Sequence, residues 1–427
     1  MTTTTSLDSA AGPLASSASA DWVRQKAAEV FGKLDRDFRY GKGDAKRSSA
    51  EIRSWVDAGE PRTYDGFDDV MAGCPETGSA SSFRNKKARF DHFGFLHLEH
   101  FASEPECEGM KTRMRELVEA WDPLESETFR TDAKQESAQG SSDYFLDSSN
   151  RTHFFTEVGA RSEDTKELLV PRQEALNKVG HGIHVSDEVF RSYCLSDKMV
   201  ELVKSLGWKN PEVPQSMYIF KQPRIGGEVT SHQDSTFLHT TPRQTCLGLW
   251  LALEPATLFN GCLWVRPFSH WEGLRRRFVR NEKHFAATSS AEKQQHPQMI
   301  FEDETPREEW GDAVSWEGGL PTATGKNGQA DSGDYTAKIN KSPEEVFNEE
   351  CAALFQHNFV PVECAAGDLV VFPGTLDHLS LANRSQKSRH TFQLHLVEGP
   401  SAGVTWSASN WLQYPSGEKF LPLAVVG

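Results

Sequence analysis

Residues 246–253 alternate without a break: Leu247, Leu249, Leu251 and Leu253 fall on one face of an extended chain, and Cys246, Gly248, Trp250 and Ala252 on the other. Side chains of a strand point to opposite sides with a period of two, so this run predicts a strand with a leucine face on a core. A second strand, His390 to Val397, is patterned differently. Phe392, Leu394 and Leu396 share one side, while Arg389, Thr391, Gln393 and His395 share the other. Such a polar row turns either to water or into a cavity lined with polar groups. Further strands are expected from Val213 onward and at Gly367 to Phe372, and Asn260-Gly261 is the residue pair of a tight hairpin before Cys262 to Arg266.

At ~150 residues per domain, 427 residues allow two or three units, or one large β domain with extensions. Lys and Arg number 46 against 61 Asp and Glu, a formal charge of -15, which disfavours a grip on nucleic acid or an anionic membrane as the main activity. The seven Cys include no Cys-x-x-Cys pair, so a disulfide framework or zinc ribbon is unsupported and a reducing compartment is favoured. Apolar runs such as Leu249 to Leu253 fall far short of the ~20 residues a spanning helix needs, so no stable membrane insertion is expected. The chain ends Ala424-Val425-Val426-Gly427 rather than in a peroxisomal tripeptide, and a cytoplasmic location is the expectation.

Residues 1–20, rich in Ser, Thr and Ala, read as a disordered tail. Residues 21–88 read as a helical extension and linker, with an apolar stripe at Val23, Ala27, Val30, Phe31, Leu34 and Phe38 and a second short helix after Ser49. A catalytic unit is expected over 89–415: a strand over Phe93 to Phe101, an amphipathic helix marked by Met110, Met114, Leu117, Val118 and Trp121, and a helix over Asp197 to Leu206 closed by Gly207. Residues 271–350 are polar and glycine-rich, with few strand or helix signals outside Pro343 to Phe355, and read as an insertion; 416–427 read as a tail.

The sharpest chemical feature is Ser231-His232-Gln233-Asp234-Ser235. Residues two apart on an extended segment face the same side, so His232 and Asp234 offer a nitrogen and a carboxylate oxygen to one point. His378, after the expected 367–372 strand and a Pro373-Gly374 turn, supplies a third donor. Two imidazoles and one carboxylate on one face leave three positions open, as non-haem Fe(II) requires to bind a cosubstrate and O2 together. Arg389, eleven residues on, suits a bidentate grip on a distant carboxylate. His97 and His100 are three apart in a strand-like run, face opposite sides, and are expected at the surface.

Gln215-Ser216-Met217-Tyr218-Ile219-Phe220, His232-Gln233-Asp234, Gly248-Leu249-Trp250, Asn260-Gly261-Cys262-Leu263-Trp264, Asn177-Lys178-Val179-Gly180-His181, His378-x-Ser380 and Trp406-x-x-x-Asn410-Trp411-Leu412 occur together. In that set and order the chain resembles the phytanoyl-CoA dioxygenase (PhyH) family over roughly 89–415. The resemblance implies a mainly β fold with flanking helices around a double-stranded β-helix, a cupin-like jelly roll. It implies iron ligands His232, Asp234 and His378, and 2-oxoglutarate contacts from Lys178, Met217, Gln233, Trp250, Ser380 and Arg389. His181 and His184 then support the pocket.

The implied activity is an Fe(II)- and 2-oxoglutarate-dependent dioxygenase that hydroxylates a C–H bond of a small molecule, lipid-like or acyl, releasing succinate and CO2. O2 is consumed and ascorbate is a candidate stimulant. Related halogenases carry a small residue in place of the carboxylate, so Asp234 favours hydroxylation. Two departures border the expected substrate mouth: Pro267-Phe268-Ser269-His270 replaces a Pro-Gly-Ser-His turn, and Leu379 and Leu381 replace small residues. With the 271–350 insertion, they motivate an alternative, a metal- and 2-oxoglutarate-binding regulatory protein whose channel is blocked by Phe268, Leu379 or that insertion. A zinc hydrolase on the same ligands is a third reading, weakened by the lack of a general base and of a use for Arg389.

Overall fold

The computed structural model describes residues 17–40, 80–130, 139–162, 164–306 and 342–423. In chain order the strands are β1 (Leu96–Leu98), β2 (Glu127–Thr128), β3 (Thr152–Thr156), β4 (Leu176–His181), β5 (Pro211–Ile219), β6 (Val229–His232), β7 (Thr240–Thr241), β8 (Leu247–Ala252) and β9 (Leu263–Val265). They continue with β10 (Arg276–Arg280), β11 (Met299–Asp303), β12 (Val360–Val362), β13 (Leu369–Pro373), β14 (His378–Ser380), β15 (Thr391–Glu398), β16 (Thr405–Trp406) and β17 (Leu421–Pro422).

The large sheet runs β1-β13-β8-β15-β5-β4-β3-β2, with β17 on β5, and the small one runs β12-β9-β14-β6. From β5 to β15 the chain crosses repeatedly between the two, so that β5, β8, β13 and β15 lie in one sheet and β6, β9, β12 and β14 in the other. This is the double-stranded β-helix, with a cavity between its sheets. The leucine face of β8 behaves as its alternation requires: Leu247, Leu249 and Leu251 share a buried cluster with Phe392, Leu394 and Leu396 of β15 and with Met110, Met114 and Val118 of the helix Glu104–Ala120. That helix starts in a capping box, Ser103 N donating to Glu106 Oε2 at 2.7 Å. Trp250 and Ala252, on the other face of β8, join a second cluster between the sheets.

Several local expectations change. The first helix begins at Ser17, inside the stretch read as a tail, and buries Val23, Ala27 and Phe31 against the second cluster. The short helix expected after Ser49 lies outside the described residues. Helix Ala80–Phe93 runs to the point where the 93–101 strand was expected to start, so the strand shrinks to β1, after Gly94 at φ +84°. Asn260-Gly261 is a turn, with Gly261 at φ +85°, yet no hairpin: β8 and β9 belong to different sheets, and the turn serves a crossing between them. Within 271–350, β10 and β11 form an antiparallel pair whose Phe278 and Met299 are buried with Trp411. Residues 416–427 include β17, paired with β5.

His97 is also displaced from its expected place. Its side chain is 7% exposed and its Nε2 sits 3.0 Å from Asp368 Oδ2, while His100 and Ala365 donate backbone N–H groups to the same carboxylate. Cys364 completes a possible metal-ligating group there. With three donors already on Asp368, the cluster is read most simply as a clasp that fixes β1 to the entry of β13.

A candidate metal centre between the sheets

His232 ends β6 and His378 begins β14, and the two are direct cross-strand partners, ring centroids 4.2 Å apart. Asp234 opens a 3-10 turn immediately after β6, which swings its carboxylate back toward them. Asp234 Oδ1 lies 3.5 Å from His232 Nε2 and 3.6 Å from His378 Nε2. A side chain on residue 248 would bring a Cβ within 3.0 Å of Asp234 Oδ2, so the glycine of the 246–253 run is what admits the carboxylate.

The donor chemistry fits a divalent cation. His232 Nδ1 is 2.8 Å from the Thr230 carbonyl and His378 Nδ1 is 3.1 Å from the Leu376 carbonyl. A carbonyl only accepts, so both Nδ1 atoms carry hydrogen, and both Nε2 lone pairs are free to point at a metal beside Asp234. Burial opposes charge on Asp234, but His378 and His395, with hydrogen bonds from His232 and His395, hold its carboxyl well below the usual range. Burial also pulls on His232, yet its contact with Asp234 leaves the imidazole above its ordinary value. Burial and then the His232 charge push His378 down to about 4.

Around the ligands lies a cavity of about 150 Å³. Lys178, Met217, Trp250, Ser380 and Arg389 all line it. Arg389 is buried; its Nη1 donates to the Gly261 carbonyl at 2.6 Å, its guanidinium carbon is 5.2 Å from the Trp250 ring, and its Nε has no partner among the described residues. Burial lowers its pKa to about 10, which leaves it a cation at neutral pH. The Lys178 ammonium sits 3.4 Å from the Phe129 ring centroid and 3.7 Å from Met217 Sδ, and burial, opposed by Glu157, brings it down to about 7.

Gln233 departs from its expected role. The turn at Asp234 points its side chain out of the cavity, where its amide donates to the Gly273 and Thr375 carbonyls at 2.8 and 2.7 Å and accepts from Arg275 N at 3.0 Å. Its side chain positions the loop between β13 and β14. Phe268 also lies away from the cavity lining: it adopts φ +69°, the left-handed conformation that suits glycine, with its ring against Phe93 and His92. Leu379 lines the cavity, and Leu381 packs in the core beside it.

Sequence reasoning missed Lys221, Glu157 and Phe278 in the cavity lining and the ion network behind His378. Lys221 donates to the Gly227 and Leu381 carbonyls, and burial followed by the charge of Arg389 lowers it to about 7. Asp377 is fully buried; Arg275 grips it through two N–H groups at 2.9 and 2.8 Å, Arg266 donates at 3.0 Å and Ser231 at 2.6 Å. It thereby fixes the backbone at His378 and is unavailable as a general base. His181 lines the cavity beside Phe145 and Trp411, while His184 supports β5 through Ser216 and the Val213 carbonyl.

A family model described as Phytanoyl-CoA dioxygenase (PhyH) matches residues 90–332 and 328–391, which include His232, Asp234, His378 and Arg389. A Phytanoyl-CoA dioxygenase of Arabidopsis thaliana is 37% identical over 324 residues, 76% of this chain and 91% of that one. Phytanoyl-CoA dioxygenase domain-containing protein 1 of Mus musculus is 38% identical over 338 residues, 78% of this chain and 96% of its own length. Among solved structures, the epimerase SnoN in complex with Fe3+, alpha ketoglutarate and nogalamycin RO is 12% identical, covering 81% of this chain and 100% of that one, with a TM-score of 0.46. The chain belongs to the phytanoyl-CoA dioxygenase family.

Proposed function

We propose that this chain is an Fe(II)- and 2-oxoglutarate-dependent dioxygenase that hydroxylates a C–H bond of a small molecule. The observation that carries the reading is the convergence of two imidazole lone pairs and one ionised carboxylate beside a cavity that also holds a buried Arg389. His232, Asp234 and His378 would hold the metal, which, when bound, supplies O2 activation coupled to decarboxylation of the 2-oxo acid. Arg389 and Lys178 would bind the distal carboxylate, Trp250 and Met217 would wall the cosubstrate, and Ser380 would offer a hydroxyl. The aromatic lining excludes water, and the Asp377 network holds His378 in register.

Of the residues that motivate the blocked-channel alternative, Phe268 packs on Phe93 away from the cavity, while Leu379 lines it. Succinate release from 2-oxoglutarate, with Fe(II) and ascorbate, tests the proposal in wild type and His232→Ala. Metal-dependent release lost in the variant is expected; equal release from both proteins would reject it. No helix among the described residues is long and apolar enough to cross a membrane.

Two further outcomes follow. Arg389→Met is expected to raise the KM for 2-oxoglutarate by about 100-fold, the scale of losing one charge-assisted bidentate pair, without lowering the metal-free melting temperature. The second half holds because the variant removes a guanidinium whose burial is costly and whose Nε is unpaired among the described residues. The other outcome is a pH dependence. Lys178 lies near 7 in the free site, so above pH 7 it is neutral and must take up a proton to meet a dianion. The affinity for 2-oxoglutarate therefore falls as pH rises from 7 to 9, Lys221 contributing in the same direction, and Lys178→Met flattens part of that slope in calorimetric titrations.

A further inference from the structure

A ligand that faces the cavity from an extended segment sends its neighbours the other way, because side chains alternate along the chain. Ser231 and Gln233 flank His232, and Asp377 precedes His378. Behind the two histidines these neighbours meet. Ser231 Oγ donates to Asp377 Oδ1 at 2.6 Å, and the Gln233 amide donates to the Thr375 carbonyl at 2.7 Å. The end of β6 and the approach to β14 are therefore tied together away from the cavity.

One residue reaches both ties. Arg275, 9% exposed, stands at the entry to β10. Its backbone N–H donates to Gln233 Oε1 at 3.0 Å, and its guanidinium donates to Asp377 Oδ2 through Nη1 at 2.9 Å and to Oδ1 through Nη2 at 2.8 Å. Its carbonyl accepts from Glu304 N, just past β11, at 2.8 Å. Arg275 thus joins the residue after His232, the residue before His378 and the far end of the β10–β11 pair. The same pair reaches the ligands from the cavity side. Phe278 of β10 lines the cavity and lies 5.7 Å from Phe237 between ring centroids, and Phe237 lies 6.2 Å from the His232 ring.

Charge balance alone does not account for this arrangement, since Arg266 already places a cation 3.0 Å from Asp377. Glu272, 4.0 Å from Arg275 Nη1, is itself gripped by Arg266 through two N–H groups at 2.6 Å. What Arg275 adds is a rigid two-pronged grip on Asp377 together with a backbone bond to Gln233. We propose that Arg275 is a positioning residue of the metal centre, setting the spacing of His232 and His378, and that through it the β10–β11 pair is a working part of that centre. The proposal rests on the oxygenase reading in one respect, that His232, Asp234 and His378 hold a metal.

Binding of Mn(II) to the metal-free full chain, followed by the electron paramagnetic resonance of the free ion, tests it without turnover. Arg275→Met is expected to bind Mn(II) about tenfold more weakly than wild type, the lower end of the loss on removing an outer partner of a metal ligand. Arg275→Lys separates position from charge, and it decides the matter even where Arg275→Met does not fold. Its ammonium still faces Asp377, so its melting temperature is expected nearer to wild type than that of Arg275→Met. It lacks the fork, however, and is expected to remain about tenfold weaker for Mn(II). Wild-type affinity in Arg275→Lys would reduce the residue to a counter-charge and overturn the proposal, as would an affinity within twofold of wild type in a folded Arg275→Met. Either result leaves the oxygenase reading in place, whereas failure of the wild-type protein to bind Mn(II) overturns both.

Discussion

Asp234→Ala is expected to lower both Fe(II) affinity and succinate release by more than about 100-fold, since losing even an outer partner of a metal ligand costs 10–100-fold and this residue would be a ligand itself. The effect is not additive with loss of a histidine. Asp234 is the shared neighbour of His232 and His378 and accepts from His395, so its removal also frees the imidazoles that it orients. The His232 imidazole, held above its ordinary pKa by Asp234 against the pull of burial, is expected to titrate lower in the metal-free variant. An NMR titration of the His232 ring checks this independently of turnover. Retained iron binding in Asp234→Ala would show that the carboxylate is not a ligand.

Asp377→Asn is expected to have the largest effect on stability. The substitution leaves two guanidinium groups, Arg275 and Arg266, facing a neutral amide in a site where Asp377 is fully buried. Breaking a buried ion pair from one side costs about 3–5 kcal/mol, which corresponds to a fall in melting temperature of roughly 10 °C. The double variant Asp377→Leu with Arg275→Met is expected to recover part of the loss, because the one guanidinium left facing that residue, Arg266, keeps its paired hydrogen bonds to Glu272 at 2.6 Å. Burial alone would raise the Asp377 pKa, but the two arginines and Ser231 hold it well below the usual range. Its contribution is therefore fully present above the unfolded value of about 3.9, shrinks as pH falls below that, and is lost only as pH passes the depressed folded value. Melting temperatures of wild type and Asp377→Asn should stay fully apart above about pH 4 and begin to draw together only as the pH is lowered from there.

The parts of this molecule that the sequence declares are those in which one strand face has one job. The alternation at 246–253 fixes which way Trp250 points, and the polar row from Arg389 to His395 is polar because it faces a cavity. The candidate metal ligands are legible because the cross-strand pair of His232 and His378 and the turn at Asp234 use ordinary strand geometry. The Gln233 side chain leaves the cavity for the same reason. Its two neighbours point inward, which sends the residue between them outward, a consequence of period two that motif resemblance overrides. Lys221 and Glu157 look like surface charges in sequence; only the closing of β5 and β6 around them makes them buried. Phe278 sits in a segment whose arginines and glutamates mask a strand, and its place beside the cavity depends on Val279 bridging to Asn410, a contact 131 residues away in the chain. The Asn260-Gly261 pair signals a turn and carries no information about which sheet the next strand joins.

The most direct test is anaerobic titration of the metal-free protein with Fe(II) in the presence of 2-oxoglutarate, following the visible charge-transfer absorption of iron chelated by a 2-oxo acid. The expected result is one iron per chain in wild type, with the absorption developing to the same endpoint, and no such absorption in His378→Ala. An undiminished signal in His378→Ala, or none in wild type despite stoichiometric iron, would contradict the assignment of His232, Asp234 and His378 as the centre of an Fe(II)- and 2-oxoglutarate-dependent oxygenase.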